Sequence, residues 1–280
     1  MSTSAMLSKK LPSGALIPSI GLGVYQSQPG NETYQAVLTA LQYGYRHIDT
    51  AKAYSNERDV GRAIRDSGVP REQIFVTSKI YTMTWGSYNH VVAAVRESNE
   101  KLGLGYIDLY LLHSPSASKG RADAWRALED LQSEGILRDI GVSNFGEAHL
   151  KKLAETWRVK PAVNQIELHP WLAREDTVKY CESQGIFLEA YSPLARAMKL
   201  HDPVLVQVAT EVGGTPAQVL VAWSLAKGFI ALPKSVKTAR IKENFDGWNI
   251  QLSVSQMEKL NKLDEYFLSC IWDPITEHEV

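Results

Sequence analysis

Short runs of β-branched and other apolar residues alternate with longer amphipathic stretches from near the N-terminus to about Leu232, and no other feature restricts the fold of this chain so far. Each apolar run has the length of a strand and each stretch between has the length of a helix. The repeating unit is therefore strand, helix, strand, a connection that leaves successive strands parallel. The runs are Ile20–Gly23, His47–Asp49, Ile74–Lys79, Leu109–His113, Ile140–Ser143, Val163–Glu167, Phe187–Tyr191 and Phe229–Leu232. Eight such units close into an α/β barrel of the (β/α)8 or TIM type, for which about 250 residues suffice. The 280 residues of this chain are thus expected to form one domain, 1–280, and no linker, low-complexity tract or strong repeat interrupts them.

Local signals agree. Ala124, Trp125, Leu128 and Leu131 follow helical spacing and give one face to pack outside a barrel. Asp202-Pro203 and Thr215-Pro216 read as N-cap and first-turn pairs, and Gln218 completes a capping box with Thr215. Two helices, one more than the alternation requires, are therefore expected between the last two strands. Before the first strand, Pro12-Ser13-Gly14 separates two short runs and predicts a short N-terminal β-hairpin that plugs one barrel end.

Hydrophobic residues make up 44% of the chain and charged residues 22%, which disfavours disorder and fibrous folds. Thirty Lys and Arg against thirty-one Asp and Glu leave a net charge of -1, so no broad field favours nucleic acid or an acidic membrane. The expected partner is a small molecule, with a monomer or weak dimer as the expected state. Cys181 and Cys270 are too few for a disulfide framework and have no metal-ligand spacing, so no metal is expected. The serine-rich N-terminus lacks a long apolar segment and no later run approaches the roughly 20 residues that span a bilayer. A cytoplasmic location is the resulting expectation.

Three of the expected strands end in a residue that is costly to bury alone: Asp49, Lys79 and His113. In a parallel barrel the C-terminal strand ends share one rim, whose loops carry active sites. Tyr54, five residues after Asp49, can reach the same rim. Each has a plain structural reading: Asp49 bonding loop amides, Lys79 snorkelling to water, His113 a satisfied core histidine, Tyr54 ordinary packing. Taken singly, those readings are favoured. Together on adjacent strand ends the four favour chemistry.

The stretch Gly44-Tyr45-Arg46-His47-Ile48-Asp49-Thr50-Ala51, followed by Tyr54, Asn56 and Glu57, closely resembles the signature of the aldo-keto reductase family. The resemblance continues through Lys79, Leu111-Leu112-His113, Gly141-Val142-Ser143-Asn144, Asn164-Gln165, Tyr191-Ser192-Pro193-Leu194 and Pro233-Lys234-Ser235 to Arg240 and Glu243-Asn244-Phe245. It implies a catalytic tetrad of Asp49, Tyr54, Lys79 and His113 that reduces aldehydes, ketones or keto esters to alcohols by hydride transfer. A carbonyl oxygen receiving negative charge needs an acid, and a phenol with an ordinary pKa of about 10 is a weak one. Lys79 is expected to lower the pKa of Tyr54, Asp49 to hold Lys79, and His113 to orient the oxygen.

No Gly-x-Gly-x-x-Gly turn opens a βαβ unit, so a Rossmann site is not supported. The resemblance instead implies NADPH or NADP+ extended across the barrel rim. Tyr191 would stack on the nicotinamide, with Ser143, Asn144 and Gln165 on its carboxamide. Ser192 and Leu194 would line the pyrophosphate path, Lys234, Ser235 and Arg240 would hold the 2′-phosphate, and Glu243 and Asn244 would face the adenine. Lys234 and Arg240 also bracket a hydroxyl near a helix N-terminus, an arrangement that suits an anion.

Departures from the commoner family pattern cluster at the expected substrate pocket: Tyr25, Tyr81 and Ser114 stand where indoles are frequent, and Arg196 stands where small residues are frequent. Smaller, more polar groups predict a wider pocket, and Trp272 either folds over it or serves as a structural cap on the barrel. Two other functions compete. Lys79 could form a Schiff base as an aldolase lysine does, or the chain could bind NADP as a non-enzymatic redox-sensing subunit. The apparent Asp49 partner of Lys79 and the intact tetrad favour the reductase.

Overall fold

The computed structural model describes residues 8–81, 87–115 and 118–276, and the serine-rich residues 1–7 lie outside them. The chain opens with strands β1 (Ser8–Lys10) and β2 (Leu16–Pro18), paired antiparallel across the Pro12–Gly14 turn. Ser13 donates through its backbone N–H and its hydroxyl to the Asp139 carboxylate, which pins the turn to the barrel wall. Leu11 and Ile17 pack with Phe75, Leu109, Leu111, Val163, Ile230 and Leu232, so the hairpin seals the barrel floor with apolar surface.

Eight parallel strands follow: β3 (Leu22–Gly23), β4 (His47–Asp49), β5 (Phe75–Ile80), β6 (Ile107–Leu112), β7 (Leu137–Ser143), β8 (Val163–Glu167), β9 (Phe187–Tyr191) and β10 (Ile230–Leu232). Each pairs with the next in sequence, from β3 through to β10. The last gap closes through two parallel bridges, Ile20 to Ala231 and Gly23 to Lys234. Closure brings the chain very near at Gly21, where a Cβ atom would sit 2.8 Å from both the His47 ring and the Leu232 side chain. A glycine is required there for packing.

Ten α-helices lie among the described residues, and α1 (Asn31–Tyr43), α2 (Glu57–Asp66), α3 (Tyr88–Leu102), α4 (Arg121–Ser133), α5 (Glu147–Ala154) and α6 (Glu175–Ser183) alternate with the strands. The expected face of α4 is observed, with Ala124, Trp125, Leu128 and Leu131 all buried. Between β9 and β10 stand two helices, α7 (Pro203–Val212) and α8 (Pro216–Ala226), as the two Pro signals predicted. Asp202 caps α7 through Val204 and Leu205 N–H groups, and Thr215 and Gln218 form the capping box of α8. Helices α9 (Thr238–Asp246) and α10 (Val254–Asn261) complete the set.

The architecture is the expected one, and the differences are at strand boundaries. β7 begins at Leu137, three residues earlier than the apolar run suggests, because Arg138 and Asp139 pair with neighbours at the barrel floor. His113 lies just past β6 but still donates its backbone N–H to Ile80 at 2.9 Å, so it keeps its place on the rim. Among the described residues no single helix is long and apolar enough to cross a membrane.

Candidate active site

The rim loop after β4 is built around one asparagine. Asn56 accepts from the Thr50 hydroxyl at 2.7 Å and donates to the carbonyl of Val24 at 3.1 Å, tying two strand ends together. Beside it Glu57 accepts from Ser78 at 2.6 Å, anchoring the start of α2 to β5 next to Lys79. A short 3-10 turn over Lys52–Tyr54, closed by Ser55 at φ 59°, presents Tyr54 to the barrel mouth.

The four candidate groups meet there. Lys79 has no exposed surface, and its Nζ donates to both Asp49 oxygens at 2.7 Å and to the Thr50 carbonyl at 2.9 Å. All three ammonium hydrogens are therefore engaged. That Nζ lies 5.1 Å from the centre of the Tyr54 ring, and the Tyr54 and His113 rings are 5.7 Å apart. Asn144 fixes the backbone of His113 by donating to its carbonyl at 2.9 Å. The His113 Nδ1 is buried with no hydrogen-bond partner among the described residues.

Burial, reinforced by the Lys79 cation, pushes the His113 imidazole down to about 3, so it is neutral at physiological pH. Tyr54 moves the other way. Burial, then the Asp49 carboxylate, holds its phenol well above the ordinary range. The net shift is thus upward, because Asp49 is paired with the Lys79 cation at 2.7 Å and burial outweighs what remains of its pull. Tyr54 is accordingly a protonated phenol.

A cleft of about 1300 Å³ opens above these groups. Asp49, Tyr54, His113, Tyr25, Tyr81 and Trp272 line it, as do Ser143, Asn144, Gln165, Tyr191, Ser192, Leu194, Lys234, Ser235, Arg240, Glu243 and Asn244. Two of the expected site residues are not on its wall. Lys79 lies beneath, as its ion pair requires, and Ser114 is fully buried. The expectation that Ser114 widens the pocket is corrected by that burial.

Local bonds order the wall. Tyr191 donates to Asn144 Oδ1 at 2.9 Å, while Ser143 donates to the Gln165 carbonyl at 2.8 Å. The loop after β9 is strained: Ser192, Ala195, Arg196 and Ala197 all have φ between 45° and 66°, a region that residues other than glycine rarely adopt. That loop brings Arg196 onto the cleft wall. The Ser235 hydroxyl accepts from the Lys237 N–H at 3.1 Å just before α9, a helix without a side-chain cap.

The segment carrying Trp272 is clamped from the end of β8. Arg174 makes an ion pair of 2.8 Å with Asp273, and Glu167 accepts from the Ser269 N–H at 2.9 Å. Sequence reasoning passed over Arg174, Asp273 and Glu167, because their partners are about a hundred residues away in the chain. It also passed over Glu189, although a glutamate inside an expected buried strand was a readable signal.

Residues 19–265 match the family described as the Aldo/keto reductase family. The chain belongs to that family. It is 44% identical over 265 residues to the glyoxal reductase of Bacillus subtilis, covering 95% of each chain. It is also 44% identical over 252 residues to the 9,11-endoperoxide prostaglandin H2 reductase of Trypanosoma cruzi, covering 89% of this chain and 88% of the relative. Among solved structures, an aldo-keto reductase from a Medee basin deep-sea metagenome superposes with a TM-score of 0.88 at 38% identity, over 93% of this chain and 96% of its own. A Bombyx mori aldo-keto reductase in complex with NADP gives a TM-score of 0.88 at 32% identity, over 96% of each chain. Aldo-keto reductases generally reduce carbonyl groups with a nicotinamide cofactor. For an aldo-keto reductase barrel, the cleft at the C-terminal strand ends is where that chemistry belongs.

Proposed function

We propose that this aldo-keto reductase reduces aldehydes, ketones or keto esters with NADPH, and that Tyr54 donates the proton to the carbonyl oxygen. The observation that carries the reading is the buried Lys79 ammonium, paired with Asp49 and 5.1 Å from the ring of a protonated Tyr54 on the cleft wall. When bound, NADPH supplies the hydride. The oxygen that gains charge becomes alkoxide-like, a stronger base than a phenolate, so the phenol proton moves to it even though burial raises the Tyr54 pKa. The cation beneath the ring then stabilises the phenolate left behind. Neutral His113 holds the oxygen in line by hydrogen bonding.

The cleft suits the cofactor on its own residues. Tyr191 is an aromatic surface for the nicotinamide, and Ser143, Asn144 and Gln165 are polar groups at its side. Ser192 and Leu194 follow in the strained loop, and Lys234, Ser235 and Arg240 gather two cations and a hydroxyl suited to a 2′-phosphate. Glu243 and Asn244 remain for the adenine. Exposed Tyr25, Tyr81 and Trp272 frame a broad substrate mouth. The glyoxal reductase relative supports small dicarbonyls among the first substrates to try.

A Schiff-base mechanism fits less well. Its amine must be free to attack, whereas Lys79 lies off the cleft wall with every hydrogen engaged. The reading is tested by direct NADPH and NADH titrations of wild type and Arg240→Ala, with NADPH consumption followed over a panel of aldehydes and keto esters. Tight binding of NADPH alone, weakened by about tenfold or more in Arg240→Ala, is the expected result. Equal affinity of the wild type for both cofactors contradicts it.

A further inference from the structure

The middle of β9 is a glutamate with no exposed surface. Glu189 stands in register with Gln165 of β8, whose Nε2 donates to Glu189 Oε2 at 2.7 Å and to Asp49 Oδ2 at 2.9 Å. One amide group therefore gives one hydrogen to each of two buried carboxyls. The other oxygen, Glu189 Oε1, has no hydrogen-bond partner among the described residues.

The charges around this carboxyl can be named element by element. β4 supplies Asp49 and His47, whose Nε2 is 3.6 Å from Oε1, and β5 supplies Lys79. β8 supplies the neutral Gln165, and β10 sets apolar Ile230 beside Glu189. Burial holds His47 down at about 3, and its Nε2 lies 3.0 Å from the Thr77 hydroxyl, so it brings no cation. Lys79 is already committed to Asp49 and Thr50. With Glu189 ionised, one enclosed space would hold two carboxylates and one cation. An unpaired carboxylate in such a place takes up a proton instead.

We propose that Glu189 is a positioning residue of the catalytic centre: it holds a proton on its buried carboxyl, which leaves Lys79 to Asp49 alone and keeps Gln165 spanning the two acids. The inference rests on the roles given above to Tyr54, Lys79 and Asp49. Loss of that proton to water adds a second negative charge that competes for Gln165 and Lys79. Burial and the Asp49 charge push the transition up to about 8. The ion pair under Tyr54 is thus intact at neutral pH and disturbed in mild alkali.

Glu189→Gln imitates the protonated carboxyl in shape and neutrality. The experiment compares pH profiles of kcat/KM for one aldehyde with NADPH, each enzyme read against its own plateau. Wild type is expected to fall by up to about tenfold per pH unit above about 8, while Glu189→Gln stays level across that range. Superimposable profiles overturn the proposal.

Two further measurements need no turnover. Denaturant unfolding should show wild type losing stability relative to Glu189→Gln as pH rises from about 4.5 to about 8, since only the folded state keeps this proton there. Parallel curves contradict it. Infrared titration of wild type serves even if the variant fails to fold: a buried carboxylic acid band should persist at neutral pH and vanish above about 8, and its absence at neutral pH overturns the proposal. A wild type that reduces no carbonyl defeats the reductase reading, whereas these two measurements still decide whether Glu189 holds its proton.

Discussion

Lys79 has no exposed surface, and its Nζ is shared between the Asp49 carboxylate and the Thr50 carbonyl. Lys79→Met would leave Asp49 buried with Gln165 as its remaining side-chain donor, and an uncompensated charge of that kind costs about 3–5 kcal/mol. Denaturant unfolding should register that loss together with a fall in turnover. Wild-type stability in the variant would mean that the pair is not a charged one. The residue scale is also where the sequence was easiest to read. Asp49, Lys79 and His113 each end or directly follow an apolar run, and charged groups at such positions are rare without a use. Ser114 was misread because one residue after His113 the chain no longer faces the cleft, a change of direction that no local pattern announces.

At the scale of elements, the cleft wall near Trp272 depends on a segment held at a distance. Arg174 lies in the loop after β8 at φ 45° and reaches Asp273 with a geometry of 2.8 and 3.3 Å to its two oxygens. Glu167 grips Ser269 from the same strand end. Asp273→Asn should keep the barrel but loosen this clamp, changing the ratio of kcat/KM for branched and small aldehydes by on the order of tenfold. An unchanged ratio would show that the clamp does not set the pocket. Strands β4, β8 and β9 matched their apolar runs to the residue, and the capped helices α7 and α8 were readable from Pro and capping residues. The start of β7 was not, since Arg138 and Asp139 break its apolar pattern and are satisfied only by residues far away in the chain. The clamp was invisible for the same reason: long-range ion pairs leave no periodicity.

For the whole molecule, closing eight strands through Gly21 and Gly23 gathers groups from distant parts of the chain into one buried centre, and that centre should govern the response to pH. His47 and His113 are depressed from 6.5 to about 3, so their share of stability is present above about 6.5 and is lost as pH falls toward 3. Glu189 is raised from 4.5 to about 8, so its share is lost as pH rises between those values. Between about 4.5 and 6.5 the two histidines outweigh the one glutamate. The sum of the three peaks near pH 6.5, and in unfolding measured across pH the loss of stability above that value should be absent in Glu189→Gln, which levels off there instead. The barrel was legible from the alternation of runs, but this charge balance was not, because it exists only once the closed barrel sets β4 and β5 across its interior from β8 and β9. The central claim concerns the phenol above that centre. Tyr54→Phe removes one oxygen from the cleft wall and leaves Tyr191, Lys234 and Arg240 in place. Turnover of an aldehyde should fall by about 100-fold or more, while a direct titration gives the same NADPH affinity as wild type. Near-normal kcat with normal NADPH binding would contradict the account and remove Tyr54 as proton donor.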